Sequence, residues 1–217
     1  MIISRIICLV IGYILGLFQT GYLYGKAHNI DIREHGSGNA GTTNTLRTLG
    51  WKAGLITFLG DLCKAMLAIL IAWLLFRNRY PEYVKVLQMY AGLGAVLGHN
   101  FPFYLKFKGG KGIACTSGFI LACFWQIAPI CLVLFILAVV ITRYVSLGSI
   151  LVVISFFIQL VVFDWLDIIH LTEESRGEAY ILGAVFTLLA LWRHRENIKR
   201  LFKGQENKFG MSKKEAE

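Results

Sequence analysis

The stretch AGLITFLGDLCKAMLAILIAWLLF, residues 53–76, is almost entirely apolar, and only Asp61 and Lys64 carry charge within it. As an α-helix it would be about 36 Å long, whereas the hydrocarbon core of a bilayer is about 30 Å thick. The segment is therefore predicted to cross a membrane as one helix.

The rest of the chain has the same character. Of its 217 residues, 56% are hydrophobic and 16% are charged, and the mean hydropathy is +0.61. An average soluble domain has about 25% charged residues. This composition excludes a disordered chain, a collagen-like fibre and a small disulfide scaffold, and it argues against a soluble domain. The formal net charge of +9 is better explained by loops facing anionic headgroups than by nucleic-acid binding.

Seven apolar segments predict an all-α polytopic membrane protein with about seven transmembrane helices. The segments are 2–24, 53–76, 83–105, two short helices within 113–142, 147–163 and 179–192. The stretch 113–142 is too long for one straight span and contains Gln126 and Pro129, so a turn is expected near 126–129. The last helix is expected to begin near Glu178.

Positive charge is unevenly distributed among the predicted loops, and this orients the chain. With the N-terminus outside, 16 of the 22 lysines and arginines fall in the inside segments 25–52, 106–112, 142–146 and 193–217. The positive-inside rule therefore predicts an external N-terminus and a cytoplasmic C-terminus in a multi-pass membrane protein. Residues 1–210 are expected to form a single integral-membrane domain, and residues 211–217 a polar, flexible tail.

Two of the inside loops are rich in glycine, hydroxyl and amide side chains and contain a cation. They read HGSGNAGTTNTLR, residues 35–47, and GHNFPFYLKFKGGKG, residues 98–112. Glycine lets backbone N–H groups face an anion, and a helix that starts after the loop adds the positive end of its dipole. Both loops therefore predict phosphate binding at the cytoplasmic side. Neither has the spacing of a Walker A loop, so ATP hydrolysis is not expected.

Three side chains near the middle or end of predicted spans need an explanation. Asp61 and Lys64 lie one turn apart on one helix face, and a charge at mid-membrane costs about 2.5–3.5 kcal/mol on insertion scales. They indicate either a functional pair or a structural ion pair, and we expect Asp61 to hold loop residues in place. His99 ends its span and faces the second loop, so it is expected to orient phosphate or assist proton transfer.

The acidic residues of the inner side are too scattered for a Mg²⁺ site, and no metal site is expected.

At these residues the chain resembles the PlsY family, the bacterial acyl-phosphate:glycerol-3-phosphate acyltransferases. The resemblance covers nearly the whole chain. The matching motifs are Ser37–Asn44 with Arg47, Gly98-His99 with Phe107–Gly112, Asn197-x-x-Arg200-x-x-x-Gly204-x-Glu206, and Gly60-Asp61 with Lys64. The departures are small: Thr42-Thr43 stands where Ala-Thr is common, and Ile113-Ala114-Cys115 where Val-Ala-Thr is usual.

The resemblance implies a reaction. A fatty acyl group moves from acyl phosphate to the 1-hydroxyl of sn-glycerol 3-phosphate, and lysophosphatidic acid and inorganic phosphate are released, in the first step of bacterial phospholipid synthesis. It implies no cofactor and no nucleic-acid partner. The partners would be the two substrates, the lipid bilayer and, by functional coupling, an enzyme that forms acyl phosphate.

The resemblance and the residue chemistry together assign the site. The catalytic group would be Ser37, Arg47, His99 and Lys111. Substrate or phosphate would be bound by Gly38, Asn39, Gly41, Thr43, Asn44, Gly109, Gly110, Gly112, Asn197, Arg200 and Glu206. Acyl phosphate is already activated, so Ser37 need not act as a covalent nucleophile, and the resemblance implies a phosphate oxygen of the substrate as the base.

Two other functions remain open from the residues alone. A small-anion transporter also uses broken helices and glycine loops, but its loops meet near the bilayer midplane and usually arise from inverted repeats. The glycine loops here lie at the cytoplasmic ends of the spans, and no repeat is visible. A phosphatidyl-transferring enzyme would need an acid-rich metal motif, which the sequence lacks.

Overall fold

The computed structural model describes residues 1–210, and the tail expected at 211–217 lies outside that range. Ten α-helices and three short 3₁₀ turns make up the described chain. The helices are α1 (Ile2–Gly16), α2 (Thr20–Ala27), α3 (Thr42–Leu49), α4 (Trp51–Phe76), α5 (Val84–Asn100), α6 (Ile113–Cys123), α7 (Ala128–Thr142), α8 (Val145–Trp165), α9 (Glu173–Arg193) and α10 (Arg195–Phe202). The all-helical prediction is confirmed.

Three parts of the chain are long and apolar enough to cross a bilayer: α1 and α2 taken together, α4 and α8. The apolar helices α6 and α7 are shorter. Along α7 the exposed side chains are large and apolar, among them Leu132, Val133, Val140 and Ile141. Such a surface suits contact with lipid rather than water.

The expected turn within 113–142 is confirmed. α6 ends at Cys123, α7 begins at Ala128, and Pro129 lies in the first turn of α7, where a helix needs no backbone donor. α6 is only about 16 Å long at 1.5 Å per residue. It therefore reaches about halfway through a bilayer core.

Two expected boundaries were wrong. The first apolar run is not one helix, because residues 17–19 interrupt it between α1 and α2. The carbonyls freed by the break are paired: Gln19 Nε2 donates to Gly16 O at 3.2 Å, and Lys64 Nζ donates to Phe18 O at 2.6 Å. The last span begins at Glu173 rather than near Glu178. Counting apolar residues missed its first turn, which is acidic and is favoured there by the helix dipole.

Helices α1 and α5 pack backbone to backbone. A Cβ at Gly12 would collide with the backbone of Ala91 and Ala95, and one at Gly94 or Gly98 would collide with the backbone of α1. Small residues four apart allow this approach in membranes, where dispersion and Cα–H···O contacts replace the hydrophobic effect. The close seam fixes the end of α5, which carries His99.

The remaining core is built on aromatic packing. Phe119 of α6 stacks on Phe186 of α9 at a ring separation of 4.2 Å, and its edge meets Phe156 of α8 at 5.5 Å. All three rings are buried. Their contacts hold α6, α8 and α9 together. The packed helices support the loops at one end of the bundle.

The α1–α5 seam yields a stability prediction. Gly12→Ala should lower the free energy of unfolding by about 1–3 kcal/mol. The added methyl group would collide with backbone atoms of α5, which cannot move aside as a flexible side chain could. The matched control is Gly177→Ala on α9, where an added Cβ meets nothing within 4 Å. That variant should be neutral or slightly stabilising. Thermal unfolding in detergent measures both, and equal midpoints would contradict the packing argument.

Candidate functional site

A cavity of about 160 Å³ opens at the end of the bundle where the predicted inside loops gather. Residues from all three sequence motifs line it, although the most distant of them, Ser37 and Glu206, are 169 positions apart along the chain. The predicted site residues in its wall are Ser37, Asn39, Gly41, Thr43, Asn44, Arg47, Asp61, His99, Lys111, Gly112, Asn197, Arg200 and Glu206. Gly38, Gly109, Gly110 and Lys64 lie outside this wall.

Asn44 organises the first loop. Its Oδ1 accepts hydrogen bonds from the Ser37 backbone N–H at 2.8 Å and the Ser37 hydroxyl at 3.1 Å. Its Nδ2 donates to the carbonyls of Ile32 at 2.8 Å and His35 at 3.0 Å. Both amide hydrogens are therefore used by the loop. The expected role of Asn44 as a phosphate ligand is corrected to that of a scaffold, whereas Asn39 and Arg47 line the cavity outside this network.

Two helices begin at the cavity wall. α3 starts at Thr42 after Gly41, and α6 starts at Ile113 after Gly112, whose φ of +84° favours glycine. The first N–H groups of a helix have no intrahelical partner and carry partial positive charge. Both helix starts therefore favour an anion in the cavity, as the glycine loops predict.

The Gly109–Gly110 pair has a different role from the expected one. The N–H of Gly109 donates to Asn100 O at 3.3 Å, and the N–H of Gly110 donates to His99 O at 3.1 Å. Neither N–H is free for phosphate. The carbonyls of both glycines accept hydrogen bonds from Arg193 Nη2, at 3.2 and 2.7 Å. The two glycines hold the loop against α5 and α9, and this places Lys111 and Gly112 at the cavity.

Lys111 connects the second loop to the third motif. Its Nζ donates to Asn197 Oδ1. Asn197 Nδ2 in turn donates to Glu206 Oε1 at 2.9 Å, and Arg200 Nε donates to Glu206 Oε2 at 2.9 Å. The chain of contacts leaves two of the three Lys111 ammonium hydrogens available to a ligand.

Burial lowers the pKa of Lys111 to about 8. Glu206 raises this pKa and the cations Arg200, Arg193 and Arg47 lower it, and the value of about 8 includes all of these effects. An excess of positive charge therefore lines the cavity. A phosphate group would relieve this repulsion.

Asp61 and Lys64 form an ion pair at 2.8 Å, and both side chains are buried. Thr20 Oγ1 donates to Asp61 Oδ1 at 3.1 Å. Lys64 Nζ also contacts His99 Nδ1 at 3.0 Å. The pair therefore joins the α1–α2 break, α4 and α5 behind the cavity.

One group of side chains has the composition of a metal site. Ligand atoms of Asp61, His99 and Cys115 lie within 4.8 Å of one another. Sequence spacing did not predict this cluster, because its members come from three different helices. The Lys64 ammonium hydrogen-bonds to both Asp61 and His99. A cation already occupies the position between these ligands, so the cluster does not fit a metal ion.

Sequence analysis missed several residues at the cavity. His194, which none of the sequence motifs includes, is buried in the wall, and burial lowers its pKa to about 4. Ser146 and Ser149 of α8 line the opposite side, and the Ser146 hydroxyl has no partner among residues 1–210. His194 lies three residues before Asn197, the first residue of the third motif, and this proximity was an available signal. The serines lie in an apolar run and gave none.

The two sides of the cavity differ in polarity. Part of the wall is apolar, with Phe58, Ile113, Phe135 and Val145. The cavity also borders a more open cleft of about 900 Å³. Basic side chains dominate this cleft, namely Arg33, Lys106, Lys108, Arg193 and Arg195, and Gly38 and Gly109 also line it. The cavity thus has apolar side chains in its own wall and borders a basic, more open cleft.

The division between scaffold and ligand residues can be tested on two asparagines. Asn44→Ala should lower the free energy of unfolding by about 2–3 kcal/mol, because it strands buried loop carbonyls and N–H groups. Asn39→Ala, at a cavity residue that takes no part in that network, is the control and should leave stability unchanged. Thermal unfolding and limited proteolysis of residues 32–41 report the difference. A stable Asn44→Ala protein would refute the scaffold role.

Comparison with known proteins places the chain in a family. The family model described as glycerol-3-phosphate acyltransferase matches residues 6–204. A glycerol-3-phosphate acyltransferase of Clostridioides difficile strain 630 is 42% identical, over 98% of each chain. One of Chlorobaculum tepidum is 37% identical, over 95% of this chain and 97% of its own.

The fold agrees with solved structures. A crystal structure of PlsY (YgiH), an integral membrane glycerol 3-phosphate acyltransferase in its glycerol 3-phosphate form, superposes with a TM-score of 0.82. It is 33% identical and covers 95% of this chain and 96% of its own. Its lysophosphatidic acid form gives a TM-score of 0.80. The chain therefore belongs to the glycerol-3-phosphate acyltransferase family and is an integral membrane acyltransferase.

Proposed function

We propose that this enzyme transfers a fatty acyl group from acyl phosphate to the 1-hydroxyl of sn-glycerol 3-phosphate. The products are lysophosphatidic acid and inorganic phosphate. One observation carries the proposal: a single cavity joins two helix N-termini and unpaired cations to an apolar wall. Both substrates carry a phosphate, and one carries a long apolar chain, so a cavity of mixed character suits them both.

The ligand groups are those that the protein leaves free. No salt bridge within residues 1–210 involves Arg47, which lines the cavity beside Asn39 and Thr43. Together with Lys111 and the N-termini of α3 and α6, these side chains would bind and orient phosphate. Asn197, Arg200 and Glu206 hold Lys111 and complete the glycerol 3-phosphate side. The apolar wall at Phe58 and Phe135 would receive the acyl chain.

The reaction then needs positioning and charge stabilisation more than covalent catalysis. The glycerol hydroxyl oxygen attacks the acyl carbonyl carbon, and the bond from that carbon to the phosphate oxygen breaks. The hydroxyl proton passes to a phosphate oxygen of the substrate, and inorganic phosphate leaves. The Ser37 hydroxyl donates to an amide oxygen of Asn44, which is no base. Ser37 is therefore a binding group and not a nucleophile.

The same proposal includes topology and location. Residues 1–210 would be one membrane domain with seven membrane-inserted segments, counting α1 with α2 as the first and α4 to α9 as the others, with the short α6 and α7 forming a hairpin. The N-terminus would be outside and the cavity at the cytoplasmic face of the bacterial cell membrane. The basic cleft then faces the side on which glycerol 3-phosphate is dissolved. Functional coupling to an enzyme that forms acyl phosphate would supply the donor.

The decisive experiment is phosphate release from palmitoyl phosphate by purified protein, with and without sn-glycerol 3-phosphate, in EDTA. We expect release that depends on glycerol 3-phosphate and yields lysophosphatidic acid, and no reaction with palmitoyl-CoA.

Arg47→Met should raise the KM for a phosphate-bearing substrate at least about tenfold, which corresponds to one charge-assisted hydrogen bond. Lys52→Met, an exposed cation outside the cavity, is the control. No turnover by folded protein would overturn the proposal and favour anion transport, which liposome uptake would then test.

The pKa of Lys111 predicts the alkaline limb of the pH profile. An amine is cationic below its pKa, so below about pH 8 Lys111 is charged and binds phosphate. Above that value kcat/KM should fall, approaching about tenfold per pH unit if only the cationic form is active. Lys111→Arg should remove this limb, whatever its absolute rate, because guanidinium stays charged. An unchanged limb in that variant would assign the titration to another group.

A further inference from the structure

His99 lies in the last turn of α5 with its ring buried in the wall of the cavity. Its two ring nitrogens face different surroundings. Nδ1 lies 3.0 Å from the Lys64 ammonium. Nε2 lies beside the α-carbon of Gly110, where a side chain would collide with it. Nε2 makes no hydrogen bond within residues 1–210, and glycine at this position keeps it accessible.

The hydrogens of Lys64 determine the protonation of the ring. An ammonium group has three hydrogens and no lone pair. Lys64 Nζ has three neighbours at bonding distance: Phe18 O at 2.6 Å, Asp61 Oδ1 at 2.8 Å and His99 Nδ1 at 3.0 Å. Each neighbour receives one hydrogen, so Nδ1 must act as an acceptor. A neutral imidazole carries a single proton, which then resides on Nε2.

We propose that Lys64 is a positioning residue that fixes His99 as an Nε2–H donor to an anionic oxygen of the substrate. The role of His99 rests on the proposed function. In this tautomer Nε2 has no lone pair, so His99 does not serve as the general base. The tautomer is consistent with a substrate phosphate oxygen as proton acceptor. Of the two roles that the sequence left open for His99, orientation of phosphate and proton transfer, it favours orientation.

Asp61 shows why a lysine is needed. Its Oδ1 lies 3.5 Å from His99 Nδ1. Without the ammonium, this carboxylate would be the acceptor nearest to Nδ1 and would favour a proton there. Nε2 would then present a lone pair to the anionic substrate, which repels it. Lys64 therefore reverses the preference that Asp61 alone would impose on the ring.

The first test reads the tautomer directly and needs no catalysis. Nitrogen NMR of the ¹⁵N-histidine-labelled, full-length protein in detergent at neutral pH reports which ring nitrogen is protonated. The His99 signals are those missing from the spectrum of His99→Gln. We expect an unprotonated Nδ1 and a protonated Nε2. A proton on Nδ1, alone or together with one on Nε2, would overturn the proposal even if acyl transfer is established.

The second test compares two amides. The side-chain nitrogen of Gln reaches the position of Nε2, whereas that of Asn reaches the position of Nδ1. We expect His99→Gln to retain at least about tenfold more kcat/KM than His99→Asn, because loss of an aligned donor costs about 10²–10³ in rate. Equal and severe losses in both would indicate a general base.

Lys64→Met should move the proton to Nδ1 in the NMR spectrum. If the Lys64→Met protein does not fold, the wild-type NMR spectrum and the comparison of His99→Gln with His99→Asn still test the tautomer and the role of His99. Absence of acyl transfer by the wild type would overturn the proposed function, but not the tautomer.

Discussion

The Lys64 ammonium is the contact on which the arrangement of the site depends. It joins the broken turn between α1 and α2, the middle of α4 and the end of α5. Removing an ammonium and a carboxylate from water costs several kcal/mol each, and only good geometry with full hydrogen bonding offsets that cost. Here every hydrogen of Lys64 has an acceptor. Separating α4 from either of the other two elements would leave one hydrogen of the buried ammonium without an acceptor, so these elements hold one relative position.

The glycine seam between α1 and α5 serves the same end by a different force. Backbone contact at Gly12 and Gly98 sets the distance between the two helices, and Gln19 Nε2 donates to the carbonyls of Gly98 and His99 at 3.3 and 3.1 Å. These contacts place the carbonyls at the end of α5, which receive the second loop through Gly109 and Gly110. Rigid packing inside the bundle thereby positions a loop at its surface.

The hydrogen bonds of the site divide its polar residues into two kinds. The hydrogen-bonding groups of Asn44, Gly110 and Glu206 are paired with other groups of the protein. Arg47, Asn39 and two ammonium hydrogens of Lys111 remain available to a ligand. A buried group already satisfied by the protein gains little from a ligand, while an unsatisfied donor near excess positive charge gains much from an anion. The motif residues therefore include both the walls of the site and the groups that bind.

The sequence by itself determined the membrane class, the helices and the three loop motifs, because each depends on local composition: a long apolar run needs a bilayer, and Pro129 with Gln126 marks a turn. It also placed Asp61 and Lys64 on one helix face. Only the tertiary structure decided that Asn44 and the Gly109–Gly110 amides are scaffold, that His194 and Ser146 reach the cavity, and that Lys64 meets His99. Those facts depend on which donor meets which acceptor across helices distant in sequence, and neither periodicity nor motif spacing contains that information.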